Sequence, residues 1–158
     1  MTLFRLTRRP YASELSGKGA AKYGYRWNTP GTEIIYCAES RALALAEVMV
    51  HLSAALAPDD LCMVEIETGP QVTTAETDIQ NLPEGWDAFP HRRITQEIGD
   101  RFVQENKHCL LRVPSAVVPG DFNVLINPAH HAFRHITVRQ VRSFKMGRRL
   151  LGRETGGP

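Results

Sequence analysis

Residues 34–56, IIYCAESRALALAEVMVHLSAAL, decide the fold class. Ile34, Ile35, Tyr36 and Cys37 form a short β-prone apolar run, and Ser40 is a candidate N-cap. From Arg41 onward Ala, Leu, Met and Val recur with too few polar residues for a surface helix. The stretch therefore reads as a strand feeding a buried helix, which Pro58-Asp59-Asp60 closes. At about 100° per residue, Glu47 and His51 fall roughly 40° apart and project from one helix face. A buried carboxylate costs several kcal/mol, on the order of the values measured for unpaired ions, unless it is paired or hydrogen-bonded. Two readings stand at this point: a Glu47–His51 pair at i,i+4 on a polar rim, or a carboxylate aimed into a substrate pocket.

Upstream, residues 3–7 alternate apolar and polar and form an opening strand ended by Pro10, with Arg5 on the opposite face from Phe4 and Leu6. Residues 17–28, GKGAAKYGYRWN, are rich in Gly, aromatic and basic residues. They are too punctuated for a long regular element and read as a binding loop entering a short strand. Arg26 offers a planar fork of donors suited to a diphosphate, and neighbouring aromatics can stack on a ring. Equally, Trp27 can pack in the core and Arg26 can make a structural salt bridge. Thr29-Pro30-Gly31-Thr32 is a turn.

Downstream, residues 61–66 form a strand, and residues 67–87 form a long connection with one weak strand near Val72. Ile94, Ile98 and Phe102, with Val103 alongside, predict an amphipathic helix over residues 94–106. Strands follow at 109–113, at 114–119 between two prolines with Ser115 at the start, at 123–126 and at 136–144. His131 and His135 have ligand spacing if helical, but the Pro128 turn and the missing third ligand argue against a metal. Residues 151–158 form a flexible tail, leaving 1–150 as one domain.

Composition excludes several classes. At 158 residues with 42% hydrophobic and 23% charged residues, the chain suits one globular domain. A net charge of +2 is too mild to argue for nucleic acid. The arginines at both ends (Arg5, Arg8, Arg9, then Arg148, Arg149, Arg153) fit a solvated face or an acidic partner. Cys37, Cys62 and Cys109 lie in or beside apolar runs without CxxC spacing, which fits reduced thiols in a cytoplasmic protein. No apolar run is long enough for a signal peptide or a membrane span.

The series YGYRWNTPG, IIYCAESRALALAEVMVH, LPEGW, IGDRF and VPSAVVPGDFNVLINPAH resembles, in order and spacing, the RES domain, named for an Arg, a Glu and a Ser. These fall on Arg26, Glu47 and Ser115, and the resemblance runs from about Leu3 to Phe144. It implies a compact α+β fold, a mixed sheet with flanking helices related to ADP-ribosyltransferases. It also implies a toxin of a type II toxin–antitoxin system that consumes NAD as substrate, with no cofactor and with inorganic phosphate as a potential co-substrate. The expected partner is an Xre-type antitoxin covering the active site, with the toxin a homodimer in that complex and no direct nucleic-acid contact. Glu47 would stabilise the positive charge that develops on the ribose as the nicotinamide bond breaks. Arg26 would hold the diphosphate or ribose, and Ser115 would hydrogen-bond the substrate. Tyr36 would wall the nicotinamide, His51 would act as a ligand contact, and Asn123 would line the pocket. Arg5 joins Arg26 as an expected antitoxin contact. Mono-ADP-ribosylation of a protein target and a non-catalytic module for an acidic partner are the alternatives.

Overall fold

Seven strands pair into one sheet, and the order in which they pair places the candidate residues. The computed structural model describes residues 1–52, 58–147 and 150. The strands are β1 (Thr2–Arg8), β2 (Ile35–Ala38), β3 (Leu61–Thr68), β4 (Thr74–Glu76), β5 (Leu110–Pro114), β6 (Phe122–Ile126) and β7 (Ile136–Ser143). Their order is β4-β5-β6-β2-β1-β3-β7, antiparallel throughout except for the parallel pair β4 and β5. The helices are α1 (Lys18–Tyr23), α2 (Arg41–Met49) and α3 (Arg93–Glu105). The architecture is the mixed-sheet α+β fold expected from the sequence, and no helix among the described residues is long and apolar enough to cross a membrane.

Because side chains alternate along a strand, each strand feeds both faces of the sheet. One face carries Leu3, Ile35, Cys37, Val64, Ile66, Val124 and Ile126, packed with Ala12, Ala132 and Ile136. The other carries Phe4, Leu6, Ala38 and Met63, covered by Leu43 and Ala44 of α2. Beside them on this second face, Leu111, Val113 and Leu125 pack with Trp27 and with Ile98, Phe102 and Val103 of α3. The register pairs Ala38 with Asn123 and Tyr36 with Leu125, so Tyr36 and Asn123 belong to the helix-covered face. The three cysteines are buried and free.

Several local expectations are corrected. The helix starts at the predicted cap, Ser40 Oγ accepting from Leu43 N at 3.0 Å, but it stops at Met49. His51 N and Leu52 N bond back only three residues, to Val48 O and Met49 O, and this tightening ends the α-helix. Only Leu43 and Ala44 of α2 are fully buried. The Gly-rich segment contains the short helix α1, closed by Gly24 at φ 70°, and no strand follows it, only a bridge between Tyr25 and Asn28. The weak strand lies at Thr74–Glu76 rather than at Val72. Residues 115–119 are a turn, not a strand. There Ser115 Oγ accepts from Val117 N (3.1 Å) and Val118 N (2.9 Å), and Asp121 N donates to Val118 O. The expected tail, residues 151–158, lies outside the described residues, as do Arg148, Arg149 and Arg153.

Candidate active site

Glu47 stands in the last turn of α2, half-buried above the sheet face that carries Asn123. Its Oε1 accepts from Ser115 Oγ at 2.7 Å and from Asn123 Nδ2 at 2.5 Å. The turn after β5 and the start of β6 thus meet on one carboxylate oxygen. Oε2 has no hydrogen-bond partner among the described residues. Neither donor comes from His51, which lies beyond the end of α2 and is exposed.

A hydroxyl has one proton and two lone pairs. Ser115 Oγ uses its proton on Glu47 and both lone pairs on the amides of Val117 and Val118. Buried at 3% exposure and saturated, Ser115 orients the carboxylate and has no valence left for a substrate.

Arg26 is half-buried and donates through Nη1 to the carbonyls of Trp86 (2.7 Å) and Ala88 (3.0 Å). Burial pushes its guanidinium below the ordinary value, and the negative fields of Glu47 and Asp87 push back. The arginine therefore ties down the loop around Asp87 while standing within the field of the Glu47 carboxylate. Trp27 packs in the core at 2% exposure, as one reading of this segment expected, while Arg26 bonds to backbone carbonyls where that reading had a salt bridge.

Tyr36 OH donates to Asn28 Oδ1 (2.8 Å) and accepts from Trp27 N (3.1 Å), while Tyr25 packs edge-on to its ring. Burial raises the Tyr36 pKa and keeps the phenol protonated. The ring braces the Arg26 segment from below.

Arg5 does not join this group. The pairing of Phe4 with Ala38 puts Phe4 on the α2 side and Arg5 on the opposite face, where its charge acts on buried Cys37. Arg5 and the Glu47 group therefore lie on opposite faces of the sheet. Arg8 forks onto Asp60, and Arg9 donates to Ser143 Oγ, so these basic residues are partly engaged within the fold.

Sequence reasoning missed four contributors. Asn28, fully buried, donates to the carbonyls of Ala20, Thr29 and Thr32 and accepts from Tyr25 N. Gln96 and Asp100 of α3 hold the neighbouring backbone. His91 has its pKa lowered by burial and then by the charges of Arg26 and His51, which places it at the same cleft. Asn28 and Asp100 lie inside stretches quoted for the resemblance, and a glycine within an amphipathic helix, here Gly99, signals a close backbone approach.

The RES domain model matches residues 2–147. The chain belongs to the RES domain family. Among curated relatives, the Prs ADP-ribosylating toxin of Sphingobium sp. (strain YBL2) is 42% identical over 143 residues, covering 89% of this chain and 88% of the relative. Toxin Res of Yersinia enterocolitica is 36% identical over 137 residues, covering 85% and 88%. A chain of the M. tuberculosis MbcT–MbcA toxin–antitoxin complex superposes with a TM-score of 0.75 over 90% of this chain and 83% of its own, at 21% identity, and shares the fold. In this RES domain the Arg, Glu and Ser of the family name come together, Ser115 bonded to Glu47 and Arg26 within its field.

Proposed function

We propose that this RES domain is a toxin that cleaves NAD at the bond between nicotinamide and ribose. The observation that carries the reading is Glu47, with Oε1 fixed by Ser115 and Asn123 and Oε2 without a hydrogen-bond partner among the described residues. As the C1′–N bond breaks, its electron pair goes to the nicotinamide nitrogen and positive charge develops on the ribose. A carboxylate fixed on one side stabilises that charge without reorganising, and such preorganised groups contribute several kcal/mol, about 3–4 for a single donor. Water then bonds to C1′ and releases a proton. Arg26, with Nε and Nη2 making no hydrogen bond among the described residues, serves the diphosphate or the ribose edge. His51 and Asn123 line the same cleft, and Tyr36 walls it.

A second reading, transfer of ADP-ribose to a protein side chain, is favoured by the name of the Sphingobium relative. The relatives' toxin names and the toxin–antitoxin complex support an antitoxin partner. A cleft that binds an anionic dinucleotide also suits an acidic or carboxylate-ended segment of that partner.

Nicotinamide release from NAD, measured with and without inorganic phosphate and with a candidate protein acceptor, tests the reading. Release in buffer alone identifies hydrolysis, acceleration by phosphate identifies phosphorolysis, and acceptor labelling identifies transfer. No release in any arm refutes NAD cleavage.

A further inference from the structure

Arg26 is only as well aimed as the segment that carries it, and residues 25–29 belong to neither a helix nor a strand. Their own bridge, Tyr25 N to Asn28 O at 3.0 Å and Asn28 N to Tyr25 O at 3.4 Å, is short. The restraint comes from α3. Gln96 Nε2 donates to the carbonyls of Tyr25 (3.0 Å) and Asn28 (3.1 Å). Four residues on, the Asp100 carboxylate accepts from Thr29 N at Oδ1 (3.0 Å) and from Thr29 Oγ1 at Oδ2 (2.7 Å). Positions i and i+4 share a helix face, so the two grips line up along the segment. Between them Gly99 lets the helix close on Trp27, where an added Cβ would stand 1.7 Å from the carbonyl oxygen.

We propose that Gln96 and Asp100 are positioning residues of Arg26, acting on the substrate only through the aim of its guanidinium. The proposal rests on the NAD-cleaving reading above. Three of the four hydrogen bonds fall on backbone atoms flanking Arg26, so they limit the rotation of its main chain. At the other end of the side chain, Nη1 is tied to Trp86 O and Ala88 O. The arginine is thus held at root and tip, with Nε and Nη2 left to meet an anion. A misplacement of about 1 Å at such a group can cost on the order of a hundredfold in rate.

The test is a double-mutant comparison of Asp100→Ala and Arg26→Lys, read as KM and kcat for nicotinamide release. Asp100→Ala should raise KM for NAD about tenfold with a smaller change in kcat, as loss of uniform binding does. Asp100→Asn should restore most of it, because the amide can accept from Thr29 N and donate to Thr29 Oγ1. In the Arg26→Lys background Asp100→Ala should cost less than about threefold more, since effects carried by one group do not add. Equal losses in both backgrounds would overturn the proposal and make Asp100 a purely structural residue. Should Asp100→Ala not fold, Thr29→Val removes one of the four bonds and serves the same comparison. The Arg26 Nε–H resonance of the ligand-free protein gives a readout without turnover. Its displacement in Asp100→Ala and return in Asp100→Asn support the positioning role even if the parent releases no nicotinamide, which would sink NAD cleavage alone. An unmoved resonance overturns the positioning role.

Discussion

Replacing Gly99 with alanine sets helix propensity against packing, and the structure decides the sign. In an unobstructed helix interior the change stabilises by about 1 kcal/mol. Here the new Cβ would stand 1.7 Å from Trp27 O and 2.8 Å from Trp27 C, where real Cβ atoms keep at least 3.0 Å. α3 must retreat by about 1.3 Å, and the obstruction is backbone, which cannot rotate away. That retreat carries the four bonds from Gln96 and Asp100, now 2.7–3.1 Å, out of hydrogen-bond range. At about 0.5–1.5 kcal/mol each, their loss outweighs the propensity gain and leaves a net destabilisation of about 1–5 kcal/mol. For a domain of this size that lowers the melting midpoint by roughly 2–20 °C. Urea unfolding and calorimetry of Gly99→Ala measure it. A variant as stable as the parent, or more so, would show that the close approach of α3 to Trp27 is absent from the folded protein.

Glu47→Gln keeps volume and the contacts to Ser115 and Asn123 while removing the charge, so it should fold like the parent yet release nicotinamide at least about a hundredfold more slowly; undiminished release from folded variant would remove Glu47 from the chemistry. Arg26→Lys keeps charge but loses the fork, and should weaken affinity for an uncleavable NAD analogue while loosening the loop at Trp86 and Ala88, read by titration and by amide exchange at residues 86–91; unchanged affinity and exchange would contradict both roles. Burial holds His130 below its ordinary value of 6.5, and His91 is depressed likewise. The unfolded chain therefore binds more protons than the folded one between the depressed values and 6.5, and stability should rise with pH across that window and level off above it. A flat melting midpoint from pH 5 to about 7 would refute this linkage. Purified complex with the partner antitoxin should fail to bind NAD until the partner is removed, and a complex that cleaves NAD as fast as the free chain would refute occlusion of the cleft.

The legible parts of the fold were those with local causes. Ser40 marked the start of α2, and the spacing of Ile98 and Phe102 marked α3. β4 escaped because Thr-Ala-Glu carries no pattern of its own, and its strand exists through pairing with β5. The run between Pro114 and Pro119 misled because Val117 and Val118 favour strands, whereas the Ser115 hydroxyl captures their amides into a turn. Glu47 was conspicuous as a lone carboxylate among apolar residues of one helix. Its partners Ser115 and Asn123 were named through the family resemblance, since periodicity cannot relate residues 68 and 76 positions away. The supporting grips of Gln96 and Asp100 have no local signature, because each is a polar residue on an ordinary helix face until the segment at Thr29 is laid against it.

The separation of 68 residues between Glu47 and Ser115 also has a meaning in time. A ribosome adds about 5–20 residues each second, so Arg26 and Glu47 emerge some seconds before the turn and strand that fix the carboxylate. During that interval the nascent chain has its charged groups but no ordered cleft, and β2 still lacks its neighbour β6. Synthesis itself thus sets a delay between the appearance of the Glu47 carboxylate and the ordering of the hydrogen bonds that aim it.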